Sequence, residues 1–174
     1  WNHGIFLGSI MGSEITTADI TDKVGQVRRD PFAMLPFAGY HMGDYLQHWL
    51  NIGKKTDAGK LLKIYYVNWF RKNAQGKFIW PGFGDNSRVL KWIVERLEGT
   101  GKAVDTPIGR LPAPEAIDTD GINVSAEDMA ELLRVDKEGW LAEIESIKAN
   151  YESYGNRLPA ELAAQLAKLE RNLA

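Results

Sequence analysis

Two short runs hold the residues best suited to grip a flat ligand. Val67-Asn68-Trp69-Phe70-Arg71 comes first, and Phe78-Ile79-Trp80-Pro81-Gly82-Phe83-Gly84-Asp85-Asn86-Ser87-Arg88 follows after a polar gap. Trp69, Phe70, Phe78, Trp80 and Phe83 put five rings into the eighteen residues from Trp69 to Asn86. Large rings usually bury their apolar area in a core, and that reading stands for Phe70, Phe78 and Phe83 too. Here Gly and Pro flank the rings, and these residues mark turns. Rings held on turns beside pliable backbone can form a slot for a nucleobase. Asn86 can offer both a carbonyl acceptor and an amide donor to the edge of such a base.

The elements that must position these residues follow from pattern. The strand expected at residues 1–11 rests on the apolar run Gly4 to Met11. Residues 12–29 are polar and lack an apolar period, which predicts a long surface loop. Asp30-Pro31 opens a turn or short helix. Gly43 to about Lys54 is helical, with Tyr45, Leu46, Trp49 and Leu50 on one stripe. Ile64-Tyr65-Tyr66-Val67 reads as a central strand, and Lys77 to Trp80 pairs back after a turn at Asn73–Gly76. Asp85 to Leu97 is a helix capped by Asp85 or Asn86 and ended near Gly99, burying Val89, Leu90, Ile93, Val94 and Leu97. Residues 99–122 hold only short extended pieces. Ser125 and Asp128 form a capping box. Trp140, Ile144, Ile147 and Tyr151, then Leu162, Leu166, Leu169 and Leu173, mark two final helices, expected as a hairpin on the sheet. The predicted class is mixed α/β of the α+β kind: a small β-sheet, flanking helices and a helical C-terminus.

Composition narrows the classes. At 174 residues the chain is expected to be a single domain, 1–174, with a real core. A hydrophobic content of 44% and a charged content of 25% suit a globular protein. The net charge of −2 leaves no basic footprint for nucleic acid. With no cysteine, disulfides and thiolate zinc sites are excluded, which suits the cytosol. No apolar run approaches the roughly 20 residues of a membrane span.

Other chemistry is sparse. His41, Asp44 and His48 stand at i, i+3 and i+7, and packing or hydrogen bonding explains them better than a metal does. His3 shows no partner in sequence. Neither a nucleophile elbow nor a Gly-x-x-x-x-Gly-Lys-Ser/Thr phosphate loop occurs. Arg28-Arg29 reads as solvated or paired with Asp30 or a neighbour.

Taken in order, the motifs resemble those of the GTP-dependent phosphoenolpyruvate carboxykinases. Asn-Trp-Phe-Arg at 68–71, Gly-Lys-Phe at 76–78 and Trp-Pro-Gly-Phe-Gly-Asp-Asn-Ser-Arg-Val-Leu at 80–90 resemble the family's guanine-binding segment. Trp1-Asn2-His3-Gly4, Met11-Gly12-Ser13-Glu14, Asp30-Pro31-Phe32-Ala33-Met34, Pro36 to Tyr40, Tyr45 to Trp49 and Thr106-Pro107-Ile108-Gly109 agree as well. The likeness is close to about residue 110 and looser beyond.

The resemblance implies the C-terminal portion of a lyase, part of its nucleotide-binding lobe. That enzyme makes phosphoenolpyruvate, GDP and CO2 from oxaloacetate and GTP in gluconeogenesis, with Mn2+ or Mg2+. It implies that Phe70 and Phe83 stack on guanine, that Phe78 lines the pocket, and that Gly84, Asp85 and Asn86 meet the base edge, within a guanine-binding region at 43–110. Asp85 replaces a Glu common in the family. Ser13 to Gln26 would be a mobile lid that includes Ser13, Glu14, Thr16, Thr17, Ala18, Asp19 and Gly25. Gly12 stands where many relatives have Arg, and the loop is about one residue longer. Catalytic residues, metal ligands and the phosphate loop would lie upstream, so this chain is expected to be inactive alone. Its partners would be GTP/GDP, oxaloacetate/phosphoenolpyruvate and the N-terminal part of the same chain, in a cytoplasmic monomer with no nucleic-acid or membrane partner. The alternatives are a non-catalytic purine-nucleotide-binding module and a structural domain whose rings are all core.

Overall fold

The computed structural model describes residues 1–15 and 26–174. The chain divides into two compact units. One holds residues 1–66 and 138–174, the other residues 67–137.

The first unit is mainly helical. Its opening run is α1 (Asn2–Ser9), not a strand. A short buried apolar run does not distinguish the two by periodicity, and here two glycines four residues apart decide for helix. A Cβ on Gly4 would lie 2.6 Å from Ile64 Cβ, and one on Gly8 would lie 2.4 Å from Phe32 Cζ. Those close approaches let α1 sink into the core, with Ile5 and Phe6 fully buried. Ile64 thus plugs a helix, and the central strand expected at Ile64–Val67 does not form.

Residues 12–29 do not form one continuous loop. β1 (Gly12–Glu14) pairs antiparallel with β2 (Val27–Arg29), and Gly12 faces Arg29. Gly-Ser-Glu and Val-Arg-Arg have no apolar alternation, so nothing in the residues announces them. Arg29 anchors this ladder: it donates to Ile10 O at 2.6 Å, to Ser146 Oγ at 2.8 Å and to the Glu143 carboxylate. Arg28 pairs with the buried Asp30 at 3.6 Å. A 3-10 turn at Pro31–Ala33 follows. Thr16, Thr17, Ala18, Asp19 and Gly25 lie outside the described residues; Ser13 and Glu14 belong to β1.

α2 (Met42–Gly53) buries Leu46 and Leu50, while Tyr45 and Trp49 join Phe32 in an aromatic cluster. Late in the chain, α5 (Lys137–Glu152) buries Ile144, Ile147 and Tyr151, and α6 (Ala160–Leu173) buries its four-leucine stripe as expected. Among the described residues α6 packs on α1, and the β1–β2 ladder reaches α5 through Arg29.

The second unit carries the aromatic runs. The turn at Asn73 forms, with Asn73 Oδ1 accepting from the backbone of Gln75 and Lys77, both at 3.0 Å. Instead of a strand at Lys77–Trp80, a single bridge joins Lys72 to Phe78. α3 (Asn86–Glu98) ends at Gly99, which takes φ 82 as a left-handed cap. Its buried residue is Trp92; Leu90, Val94 and Leu97 of the expected core face are exposed. β3 (Ala103–Thr106) and β4 (Gly109–Pro112) form a hairpin. α4 (Ala126–Leu133) starts at the Ser125/Asp128 capping box.

One buried polar contact ties α1 to α5. Ser9 Oγ donates to Phe6 O at 2.7 Å, so Tyr151 supplies the proton for its 2.5 Å bond to Ser9. Burial pushes the Tyr151 hydroxyl well above its ordinary 10.0. A group with a raised folded pKa stabilises fully below its unfolded value and loses that contribution as pH rises. Stability should therefore fall above pH 10.0. Tyr151→Phe should cost about 1 kcal/mol at neutral pH and remove that alkaline slope, as read from unfolding midpoints between neutral and strongly alkaline buffers.

Candidate functional site

The site is built around a buried anchor. Ile79 and Trp80 are buried, and the Trp80 indole donates to Asn86 Oδ1 at 2.9 Å. Between them the backbone turns through Gly82 at φ 96 and ψ −149, a conformation that favours glycine. A 3-10 turn at Phe83–Asp85 then leads into α3. With Trp80 inward and the turn braced, Phe83 is left 98% exposed.

Phe70 and Phe78 form the other half. Their centroids are 6.0 Å apart at 62°, an edge-on pair, yet they remain 70% and 52% exposed. Asn68 Oδ1 accepts from Phe70 N at 2.9 Å, and Lys72 Nζ stands 5.1 Å from the Phe78 centroid. Phe83 stands outside this pair. The structure therefore joins two of the expected rings and leaves the third to itself. A cavity of about 220 Å³ lies beside Phe78, lined by Asn73, Lys77, Asn123 and Asp128 among others. A larger one, about 390 Å³, lies on α4 away from the rings. Stacking surfaces for a flat ligand need not be enclosed, so the exposed rings are the candidate surface rather than either cavity.

The polar residues divide their duties. Asp85 Oδ1 accepts from Arg88 Nε at 3.2 Å, so its carboxylate is engaged. Arg88 also donates to Asp118 O at 3.0 Å and Asp120 O at 2.8 Å, fastening the start of α3. Gly84 O accepts from Ser87 Oγ at 3.1 Å. The Asn86 side-chain oxygen is engaged by the Trp80 indole.

The motif contains Arg71, but its partners Glu131 and Arg134 are not legible in sequence. Arg71, next to Phe70, donates through Nε and Nη2 to Glu131 Oε1 at 3.1 and 2.9 Å, and through Nη1 to Arg134 O at 2.9 Å. Arg134 Nε holds Glu131 Oε2 at 2.8 Å. No local signal links residues sixty positions apart, so only the fold reveals this clamp. Arg134 first, then Arg71, lowers the Glu131 pKa to about 2.

The histidines serve structure. His41 Nδ1 accepts from Gly43 N at 3.0 Å at the head of α2, and its ring meets Tyr154 edge-on. Asp44 pairs with Arg157 at 2.8 Å, and His48 packs on Trp49. His3 lies against Phe6. Among the described residues, no three His, Asp or Glu groups converge to hold a metal, and no helix is long and apolar enough to cross a membrane.

Residues 1–172 match the model of the phosphoenolpyruvate carboxykinase C-terminal P-loop domain. The chain belongs to the phosphoenolpyruvate carboxykinase family. It is 56% identical over 174 residues to the phosphoenolpyruvate carboxykinase (GTP) of Treponema pallidum strain Nichols, covering 99% of this chain and 28% of that protein. The carboxykinase (GTP) of Renibacterium salmoninarum is 53% identical over 173 residues, and that of Neocallimastix frontalis 52% over 174, with the same shares covered. The chain thus spans about 28% of the length of these carboxykinases.

The clamp yields a test. A carboxylate with a depressed folded pKa stabilises fully above its unfolded value, here 4.5, and loses that contribution as pH falls towards about 2. Glu131→Gln should remove this component: the difference in unfolding midpoint between variant and wild type should shrink steadily as pH falls through that window.

Proposed function

We propose that this chain is the guanine-binding part of a GTP-dependent phosphoenolpyruvate carboxykinase, a cytoplasmic enzyme that converts oxaloacetate and GTP to phosphoenolpyruvate, GDP and CO2. The observation that carries the reading is the exposure of three large rings, Phe70, Phe78 and Phe83, in the segment that also holds the Trp80–Asn86 hydrogen bond. A base stacked on such rings gains roughly 1–3 kcal/mol. With its oxygen engaged by Trp80, Asn86 has amide N–H donors to offer, which suits a purine carrying a carbonyl oxygen at position six. An amino group there would leave those donors unpaired, and such mismatches discriminate strongly. Guanine and hypoxanthine fit; adenine does not.

In the reaction, loss of CO2 from oxaloacetate leaves the enolate of pyruvate. Its oxygen attacks the γ-phosphorus of GTP, and GDP departs. The residues of this chain hold the base. Binding that is equal in ground and transition states raises affinity without accelerating chemistry. Among the described residues no three His, Asp or Glu groups converge to fit the divalent ion, Mn2+ or Mg2+, that this chemistry uses. The ion and the phosphate loop would be held by other parts of a full-length enzyme. Assignment of Ser13 to Gln26 as the lid that keeps water from the enolate rests on the family resemblance.

Tryptophan fluorescence tests this directly, because Trp80 touches Asn86. GDP and IDP should change the emission at concentrations where ADP does not. Asn86→Ala should weaken GDP binding about fivefold or more and narrow the preference, as loss of roughly 1 kcal/mol requires. Equal affinity for GDP and ADP in the wild type would overturn the assignment. Supplied with oxaloacetate, GTP and Mn2+, this chain by itself should form no phosphoenolpyruvate; turnover would place catalytic machinery within it.

A further inference from the structure

We infer that Glu131 of α4 is a positioning residue for nucleotide binding, acting through Arg71 to hold the Phe70 ring ready for a base. The inference rests on the reading of Phe70 as part of the guanine site.

Local structure does not hold Phe70. Residues 67–70 form no helix or strand, and the ring is 70% exposed, so no core packing orients it. Its near support, the hydrogen bond from Phe70 N to Asn68 Oδ1, is open to solvent. The fixed point comes one residue later. Arg71 O accepts from Ile79 N at 3.0 Å, and Ile79 is buried. The residues just before these two, Phe70 and Phe78, carry the ring pair. That backbone bond ties the two aromatic runs together, and the Arg71 side chain ties both to α4.

The tie has a direction. All three nitrogens of the Arg71 guanidinium donate, to Glu131 Oε1 and to Arg134 O. A planar fork engaged at each nitrogen has little freedom to turn. Glu131 is itself fixed, because Arg134 Nε and Nη2 grip its carboxylate at 2.8 and 3.1 Å. The Arg71 and Glu131 side chains remain 24% and 34% exposed. Ion pairs this open to solvent add little to stability. What the clamp supplies is orientation: a ring ordered in advance spares an incoming base the cost of ordering it.

A double-mutant cycle in the complete carboxykinase separates this role from general damage. Glu131→Gln keeps the side-chain volume and removes the charge. It should weaken GDP binding about fivefold, the size of the cost of ordering one side chain. The KM for GTP should rise by a similar factor, with little change in kcat. Phe70→Leu removes the stacking plate and keeps an apolar contact. In that background Glu131→Gln should alter GDP binding less than about twofold, because the ring it orients is gone. Arg71→Lys keeps the charge but not the fork, and should repeat the pattern. Equal loss in both backgrounds, no loss in either, or a fall in kcat alone would overturn the inference. If Phe70→Leu by itself leaves GDP binding untouched, Phe70 does not meet the base, and the guanine reading of that ring falls with the inference. If Phe70→Leu weakens binding but the cycle shows no coupling, only the inference falls.

Discussion

Trp80 and Asn86 stand on either side of Pro81-Gly82-Phe83-Gly84-Asp85, and the hydrogen bond between their side chains closes that stretch into a loop. The indole is the fixed end, since Trp80 is buried. The bond itself is worth about 1 kcal/mol net, but an unpaired buried N–H costs about 1–3 kcal/mol, so the loop has little freedom to open. Gly82 permits the reversal, Phe83 is carried outward, and Asn86 becomes both brace and first residue of α3. Phe83 and the start of α3 take their direction from this contact.

The second constraint is ionic and long-range. Arg71 follows Phe70 in the chain, and its guanidinium is locked onto Glu131 and the carbonyl of Arg134 in and just beyond α4. The Phe70–Phe78 pair is thereby hung from a helix, while Phe83 is hung from Trp80. The exposed rings so have two independent supports, an ion-pair clamp for one pair and an indole hydrogen bond for the third.

Residues with local signals were legible. The capping box at Ser125, the left-handed Gly99, the turn at Asn73 and the leucines of α6 each stand where chain chemistry put them. Misreadings fell where long-range packing overrides local preference. Gly4 and Gly8 convert an apparent strand into α1 only because Ile64 and Phe32 arrive from afar. The β-branched and aromatic run at Ile64–Val67 has strand propensity but no strand to pair with. The ladder of β1 and β2 is polar and three residues long, and depends on Arg29 reaching α5. On α3 the apolar period identified a helix correctly, but Trp92 took the inward side. As for the site, residue types pointed to the rings and to Asn86. The engagement of Asp85 by Arg88 and the Arg71–Glu131 clamp needed the fold.

Gly8 and Phe32 bind each other's evolutionary freedom. The Phe32 ring fills the space a Cβ on Gly8 would need, 2.4 Å from Cζ, and also meets Tyr45 and Trp49. Its backbone sits at φ 52, with Ala33 at φ 55, where L-residues are rarely at ease. A larger residue at position 8 requires a smaller one at position 32. The small residue best suited to that backbone is glycine, which abandons both aromatic neighbours. Neither site can drift without a loss at the other, so the pair behaves epistatically: homologous sequences should change both positions together or neither.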